Sequence, residues 1–328
     1  HSLSFLYYIQ TEPGFKNLAL ADDEFPTDDK FPFIPYHRES RRIDGVVRFT
    51  LDHIKDPYAN NSSLYRTSIA VGDYPVDHHH TRYHGWENLP DLHFYPVPSY
   101  GLPLGTLIPK ETEDLIVAEK SISVTNLVNG TTRLQPVVLQ IGEAAGILAA
   151  LAVKQGKKVR DVAVRDVQRG VLDGKGYILP YLDITTDHPH FKALQRIGAT
   201  GIIRGTGMNV GWENQTWFHA DSTITNRELL EGALAFYMPQ YTTADAASVF
   251  DLQKQVSLTD LAKMFSFADN GKTSAQFLNS FNEEWKSLGL LDYDAKRALT
   301  RLECAVLIDR FMDPFGRYNI GHKGELLR

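Results

Sequence analysis

Asn129-Gly130-Thr131-Thr132-Arg133-Leu134-Gln135-Pro136-Val137-Val138-Leu139-Gln140-Ile141-Gly142-Glu143-Ala144-Ala145-Gly146-Ile147-Leu148 carries the strongest helix signal in the chain. The pattern predicts a helix from Pro136 to about Lys154. Proline suits a first helical turn, where its missing N–H costs nothing, and Gly156 with the neighbouring lysines suits the end. Apolar residues run nearly all the way round, from Val137 to Leu151, so burial on every face is expected. Gly142 and Gly146, one turn apart, would admit a second backbone or a flat ligand. Residues Asn126 to Arg133 read as a loop, rich in donors: Asn129, Thr131, Thr132, Arg133 and, just beyond, Gln135. A buried helix N-terminus presents unpaired N–H groups and about half a positive charge. It is therefore a receptor for an anion or a polarised carbonyl; a core helix with a polar cap is the plainer alternative.

Upstream, Val46 to Leu51 and Ser68 to Val71 read as strands between Asp-Pro and Gly-Asp punctuation. Residues 1–110 thus suggest an antiparallel sheet with long loops. Leu115-Ile116-Val117-Ala118 is a further short β-type run. Residues 157–180 read as a short charged helix with a Gly-containing exit. After Pro180 the composition turns helical, which places a boundary near residue 180 and gives segments 1–180 and 181–328. The class expected is α+β, followed by an all-α, repeat-like part. Within that part, Thr225 with Glu228 and Thr300 with Glu303 form two capping-box signatures, each opening an apolar helix.

Composition limits the function. With 328 residues, roughly two domains are expected at about 150 residues each. Apolar content of 43% is enough to build cores, which rules out disorder as the dominant state. Thirty-four Lys and Arg against 40 Asp and Glu give a net charge of −6, so no nucleic-acid footprint is expected. No membrane span is expected, and the start at His1 reads as mid-domain rather than as a signal peptide. The one cysteine, Cys304, excludes an internal disulfide and reads as packed core.

Two polar clusters stand out. His37-Arg38-Glu39-Ser40-Arg41-Arg42 suits a carboxylate or phosphate clamp, because guanidinium binds such groups bidentately; a solvated strand edge is the alternative. Gly72-Asp73-Tyr74-Pro75-Val76-Asp77-His78-His79-His80, followed by Arg82, Tyr83 and His84, suits acid–base work near neutral pH; a plain hydrogen-bonded loop is the alternative. No spaced metal-ligand frame occurs, so no metal site is expected. The sequence contains no GxGxxG after a strand, no P-loop and no GxSxG.

Several of these stretches, taken in order, resemble a bacterial FAD-dependent oxidoreductase family. They are Tyr36 to Gly45, Ile69 to His78, Leu107-Ile108-Pro109-Lys110, Leu115 to Ser123, and Asn129 to Gly146. Some members carry the label xanthan lyase. The resemblance covers about residues 1–180 and implies a two-domain flavoprotein: a Rossmann-type half for the ADP part of FAD, and an inserted antiparallel substrate domain. A strand, loop and helix then return to the flavin. By that resemblance Glu119, Lys120 and Ser121 lie beside the ribityl chain. Asn129, Gly130, Arg133, Leu134 and Gln135 lie at the pyrimidine edge. His37, Arg38, Arg41 and His79 would bind substrate, and His78 would move a proton. The ADP-binding fingerprint is missing, which implies that its half of the fold is a separate or removed portion and a partner of this chain. Glu119 stands where broader flavoproteins carry glycine. Residues 181–328 look similar to S-layer homology repeats, which implies cell-wall glycan as a partner and a periplasmic or cell-surface location. The function expected is hydride transfer to flavin from a substrate for which a carbohydrate-derived compound is one candidate. Two alternatives stand beside it: a uronate polysaccharide lyase with Tyr83 as base, and a non-enzymatic surface-binding module.

Overall fold

The computed structural model describes residues 2–327 apart from 13, 35, 40, 59–61, 78–91, 93, 212 and 270. The chain divides into two compact units, His1–Arg38 and Glu39–Arg328. The first carries α1 (Ser2–Thr11), in which no residue is buried; His37 and Arg38 lie exposed at its end. The second is an α+β unit, and the composition change near residue 180 falls inside it.

The front of the second unit is built around α4 (Gln135–Gln155). Gly156 closes this helix in the left-handed region at φ 61, as the sequence implies. Its burial differs from expectation. Val137, Ile141, Ala144, Leu148 and Ala152 form one buried stripe, while Leu139 is 74% and Val153 83% exposed. An all-apolar pattern cannot show which face lacks a neighbour. By length and composition α4 could cross a membrane, yet that buried stripe packs within the protein. The stripe lies on β1 (Ser68–Gly72), which pairs antiparallel with β2 (Tyr100–Pro103). The Gln140 amide mimics a third strand there. It accepts from Val71 N–H at 3.0 Å and donates to the Val71 carbonyl at 3.3 Å.

The expected sheet is smaller than the sequence suggested. Val46 to Leu51 forms a single bridge, at Phe49, next to another at the preceding Gly45, because Thr50 turns the chain into α2 (Leu51–Ile54). Leu115 to Ala118 is extended without being a strand; Val117 N–H donates to the Leu107 carbonyl at 2.8 Å. The expected loop at Asn126 is instead α3 (Asn126–Thr132), opened by Thr125, whose hydroxyl accepts from Val128 N–H. α5 (Val164–Asp173) packs on α4.

Residues 181–327 are not all-α as the sequence suggested: beside α6 (Phe191–Thr200) they hold an antiparallel hairpin of β3 (Thr206–Val210) and β4 (Glu213–Trp217), with Gly211 turning the chain at φ 61. Then come α7 (Asn226–Tyr237), α8 (Thr243–Ala246), α9 (Leu258–Ala268), α10 (Ser274–Glu284), α11 (Arg301–Phe311) and α12 (Pro314–Arg317). The box expected at Thr300 and Glu303 forms at α11, and Ser257 with Asp260 forms another at α9; at α7 Thr225 accepts from Glu228 N–H without the return bond, because the Glu228 carboxylate pairs with Arg301. The three units close on one another in a ring. Thr225 bridges Gln255, Ser257 bridges Ala298, and Thr300 bridges Thr223. The hydrogen bonds repeat at matching offsets: Arg227 N–H to Leu252 O, Thr259 N–H to Ala295 O, and Leu302 N–H to Ala220 O. Cys304 is core, as expected, and burial pushes its thiol pKa up.

One buried cation ties this part to α5. Arg165 donates to Gln168 Oε1 at 2.8 Å and to the Ala199 carbonyl at 3.2 Å, and lies 4.2 Å from the Phe315 ring centroid. Burial, with Arg66 and Arg169 nearby, pushes its pKa down to about 9.

Candidate functional site

The site grows from the N-terminal end of α4. Leu134, its N-cap, is extended (φ −67, ψ 143) and makes no side-chain cap hydrogen bond, and no acid stands in the first turn. Gln135 and Pro136 are exposed. Proline has no N–H, and the first turn itself carries no acid to set against the remaining donors and the positive end of the dipole.

Arg133 fixes this end. Its side chain is 5% exposed. Nη1 donates to Glu39 Oε1 at 2.9 Å; Nη2 donates to the Asp77 carbonyl at 2.9 Å and reaches Asp77 Oδ2 at 3.4 Å. Asn126 Nδ2 donates to the other Glu39 oxygen at 3.4 Å. Three distant segments therefore meet at one guanidinium. Gly130 makes the approach possible, since a Cβ there would lie 2.2 Å from the Asp77 carbonyl oxygen. Thr131 adds a second tie: its hydroxyl donates to the Tyr74 carbonyl at 2.7 Å and meets the Tyr100 hydroxyl at 2.8 Å. Burial pushes the Tyr100 phenol pKa up, partly offset by Thr131. Asn129 is fully buried, and among the described residues neither of its side-chain amide atoms has a hydrogen-bond partner.

The turn Glu119–Ser121 packs against α4. Ser121 O accepts from Ile43 N–H at 3.0 Å, and Ser123 Oγ accepts from Gly45 N–H at 3.0 Å. Glu119 is exposed at φ 66, in the left-handed region that favours glycine. Lys120, nearly buried, lies 3.2 Å from its carboxylate.

Asn129, Gly130, Arg133, Leu134 and Gln135 thus lie at the start of α4, while Glu119, Lys120 and Ser121 form a turn packed against the same helix. The substrate-side residues divide differently. His37 and Arg38 belong to the first unit, and Arg41 is exposed in the second. His78, His79 and Tyr83 lie outside the described residues. Sequence reasoning missed that Glu39 and Asp77 are partners of Arg133, and that Gln140 pairs with β1. A lone glutamate among arginines was the available signal for Glu39.

A family profile described as FAD dependent oxidoreductase matches residues 1–171, more than half of the 328. The chain belongs to the FAD dependent oxidoreductase family. FAD is the cofactor that this family implies. No curated protein and no solved structure matches the chain. The match ends within α5, so the ring of three capped units lies beyond it.

The residues present fit the ring end of FAD. An uncapped helix end suits a group that gains negative charge on reduction. A Cβ at Gly142 or Gly146 would meet nothing within 4 Å, leaving the α4 backbone open to close approach. The Asn129 side-chain amide just before it is a buried polar pair without a partner among the described residues.

Proposed function

We propose that this flavin oxidoreductase chain supplies the ring-facing wall and the substrate side of its enzyme. The observation that carries this reading is the exposed, uncapped and acid-free start of α4, held in place by buried Arg133. FAD, when bound, would accept a hydride from an oxidisable substrate. Backbone N–H groups after Leu134 would then stabilise negative charge at the pyrimidine edge, already oriented before electrons arrive. Arg133, engaged with Glu39 and Asp77, holds that backbone rather than touching the ring. Lys120 would offset the Glu119 carboxylate beside the ribityl chain.

In this reading His37, Arg38, Arg41 and His79 bind an anionic substrate and His78 moves the proton. The exposed stripe of Leu139, Gly142, Gly146 and Val153 would seat the ADP-binding half. No observation on the described residues favours a lyase with Tyr83 as base. The test is the full-length gene product carrying Gln135→Glu. The unaltered protein is expected to purify with flavin absorbance, and the variant to hold flavin with a lower midpoint potential. Colourless protein that takes up no added FAD, or an unmoved potential, removes the proposal.

A second reading concerns residues 181–328. The cyclic closure of three capped helices favours an S-layer-homology-like module for attachment to cell-wall glycan, outside the cytoplasm. Retention of the full chain on cell-wall glycan supports it, and passage like a control protein removes it.

A further inference from the structure

The three seams of the ring are not filled alike. Counted from the N-caps, Ala233 of α7 and Phe265 of α9 occupy the same place, as do Ala268 of α9 and Phe311 of α11. At the α9–α11 seam, Phe281 of α10 fills the space, with its ring centroid 5.5 Å from Phe265 and 5.1 Å from Phe311. At the α7–α9 seam both flanking positions are alanine. The element after α7 is a single turn, α8, where α10 has three. What remains there is a cleft of about 310 Å³.

Its chemistry is specific. Leu230, Leu234 and Met264 give an apolar floor, and Tyr237, Tyr241, Phe250 and Phe267 give aromatic walls. Tyr241 and Phe267 stand half exposed at the mouth. Among the described residues that line it, Asp245 is the one charged group. Its carboxylate accepts from Thr242 N–H at 2.7 Å and from the Thr242 hydroxyl at 2.8 Å, so it is fixed in place. Lys263 lies 5.1 Å from the Phe250 ring centroid while donating to the Val249 carbonyl, so an aromatic wall already attracts one cation.

We propose that this cleft binds a small hydrophobic cation: an aryl or alkyl group bearing an ammonium or quaternary ammonium end. The apolar part takes the place that Phe281 takes at the next seam. The positive end faces Asp245 and the tyrosine rings, which attract cations through their π faces. An anion of the same size meets a carboxylate and is rejected.

The test is calorimetric titration of the full chain with phenyltrimethylammonium and, separately, with benzenesulfonate. Saturable binding of the cation is expected, with the anion at least about tenfold weaker. Ala233→Phe, which restores the residue of the filled seam, should abolish binding while leaving the helical circular dichroism unchanged. Asp245→Asn should weaken it about two- to fivefold, the range for an exposed charge pair. Should Ala233→Phe fail to fold, Ala268→Phe fills the cleft from the opposite helix and Asp245→Asn reads its charge. Absence of saturable cation binding, equal binding of the two probes, or full affinity in a folded filled variant overturns the proposal.

Discussion

Removing the Arg133 side chain tests the claim that one guanidinium assembles the site. Arg133→Ala deletes two well-formed charge-assisted hydrogen bonds, to Glu39 and to the Asp77 carbonyl, both at 2.9 Å. Each is worth about 1.5–3 kcal/mol when buried. Breaking a buried ion pair by deleting one partner costs about 3–5 kcal/mol. Glu39 and Asp77 keep partial access to water, which softens the penalty for leaving them unpaired. The expected loss is therefore near the lower bound, about 3 kcal/mol. Urea unfolding followed by tryptophan fluorescence measures it. Pairing Arg133→Ala with Glu39→Gln isolates the direct term, and a coupling of about 1 kcal/mol or more is expected. A loss below about 1 kcal/mol, or no coupling, would refute the reasoning.

Burial lowers the His53 pKa, against a smaller raising effect of Asp52, and neutral Nδ1 accepts from Thr50 N–H at 3.0 Å. That contribution is complete above the ordinary histidine value of about 6.5 and is lost as pH falls through the lowered one; unfolding scans should show His53→Gln flattening this acid slope. Gly130→Ala forces a Cβ against the Asp77 carbonyl and should cost about 2–3 kcal/mol in the same unfolding assay. Lys175, at φ 63 just past α5, stands where glycine is relaxed, so Lys175→Gly should raise stability by about 0.5–1 kcal/mol; a lower melting temperature contradicts it.

α4 was legible because its two ends carry their own chemistry, Pro136 and Gly156. Its exposed face was not, since an all-apolar helix has no polar side to mark solvent. α3 was misread because Asn126, Asn129, Gly130, Thr131 and Thr132 are poor helix formers; the Thr125 cap and burial from Val128 onward override that preference. The third ring unit escaped notice because Ser257 and Asp260 replace the Thr and Glu of its siblings, although in all three the N-cap hydroxyl accepts from the N–H three residues on. The helix end of the site could be read locally. Its anchor could not: Glu39 and Asp77 lie 94 and 56 residues from Arg133, and nothing in one sequence pairs them.

The ring of capped helices carries a consequence for how the chain tolerates shortening. A linear stack of repeats can lose its last member and keep the others, because each touches only its neighbours. Here the final member is also the first one's neighbour. Truncation ahead of Thr300 removes α11 from between both neighbours: Ser222 and Ala220 lose their backbone partners Arg301 and Leu302 on one side, and Phe281 loses the Phe311 ring on the other. The three helices therefore stand or fall as a single cooperative block, and partial copies of it are poor candidates for independent evolution or engineering.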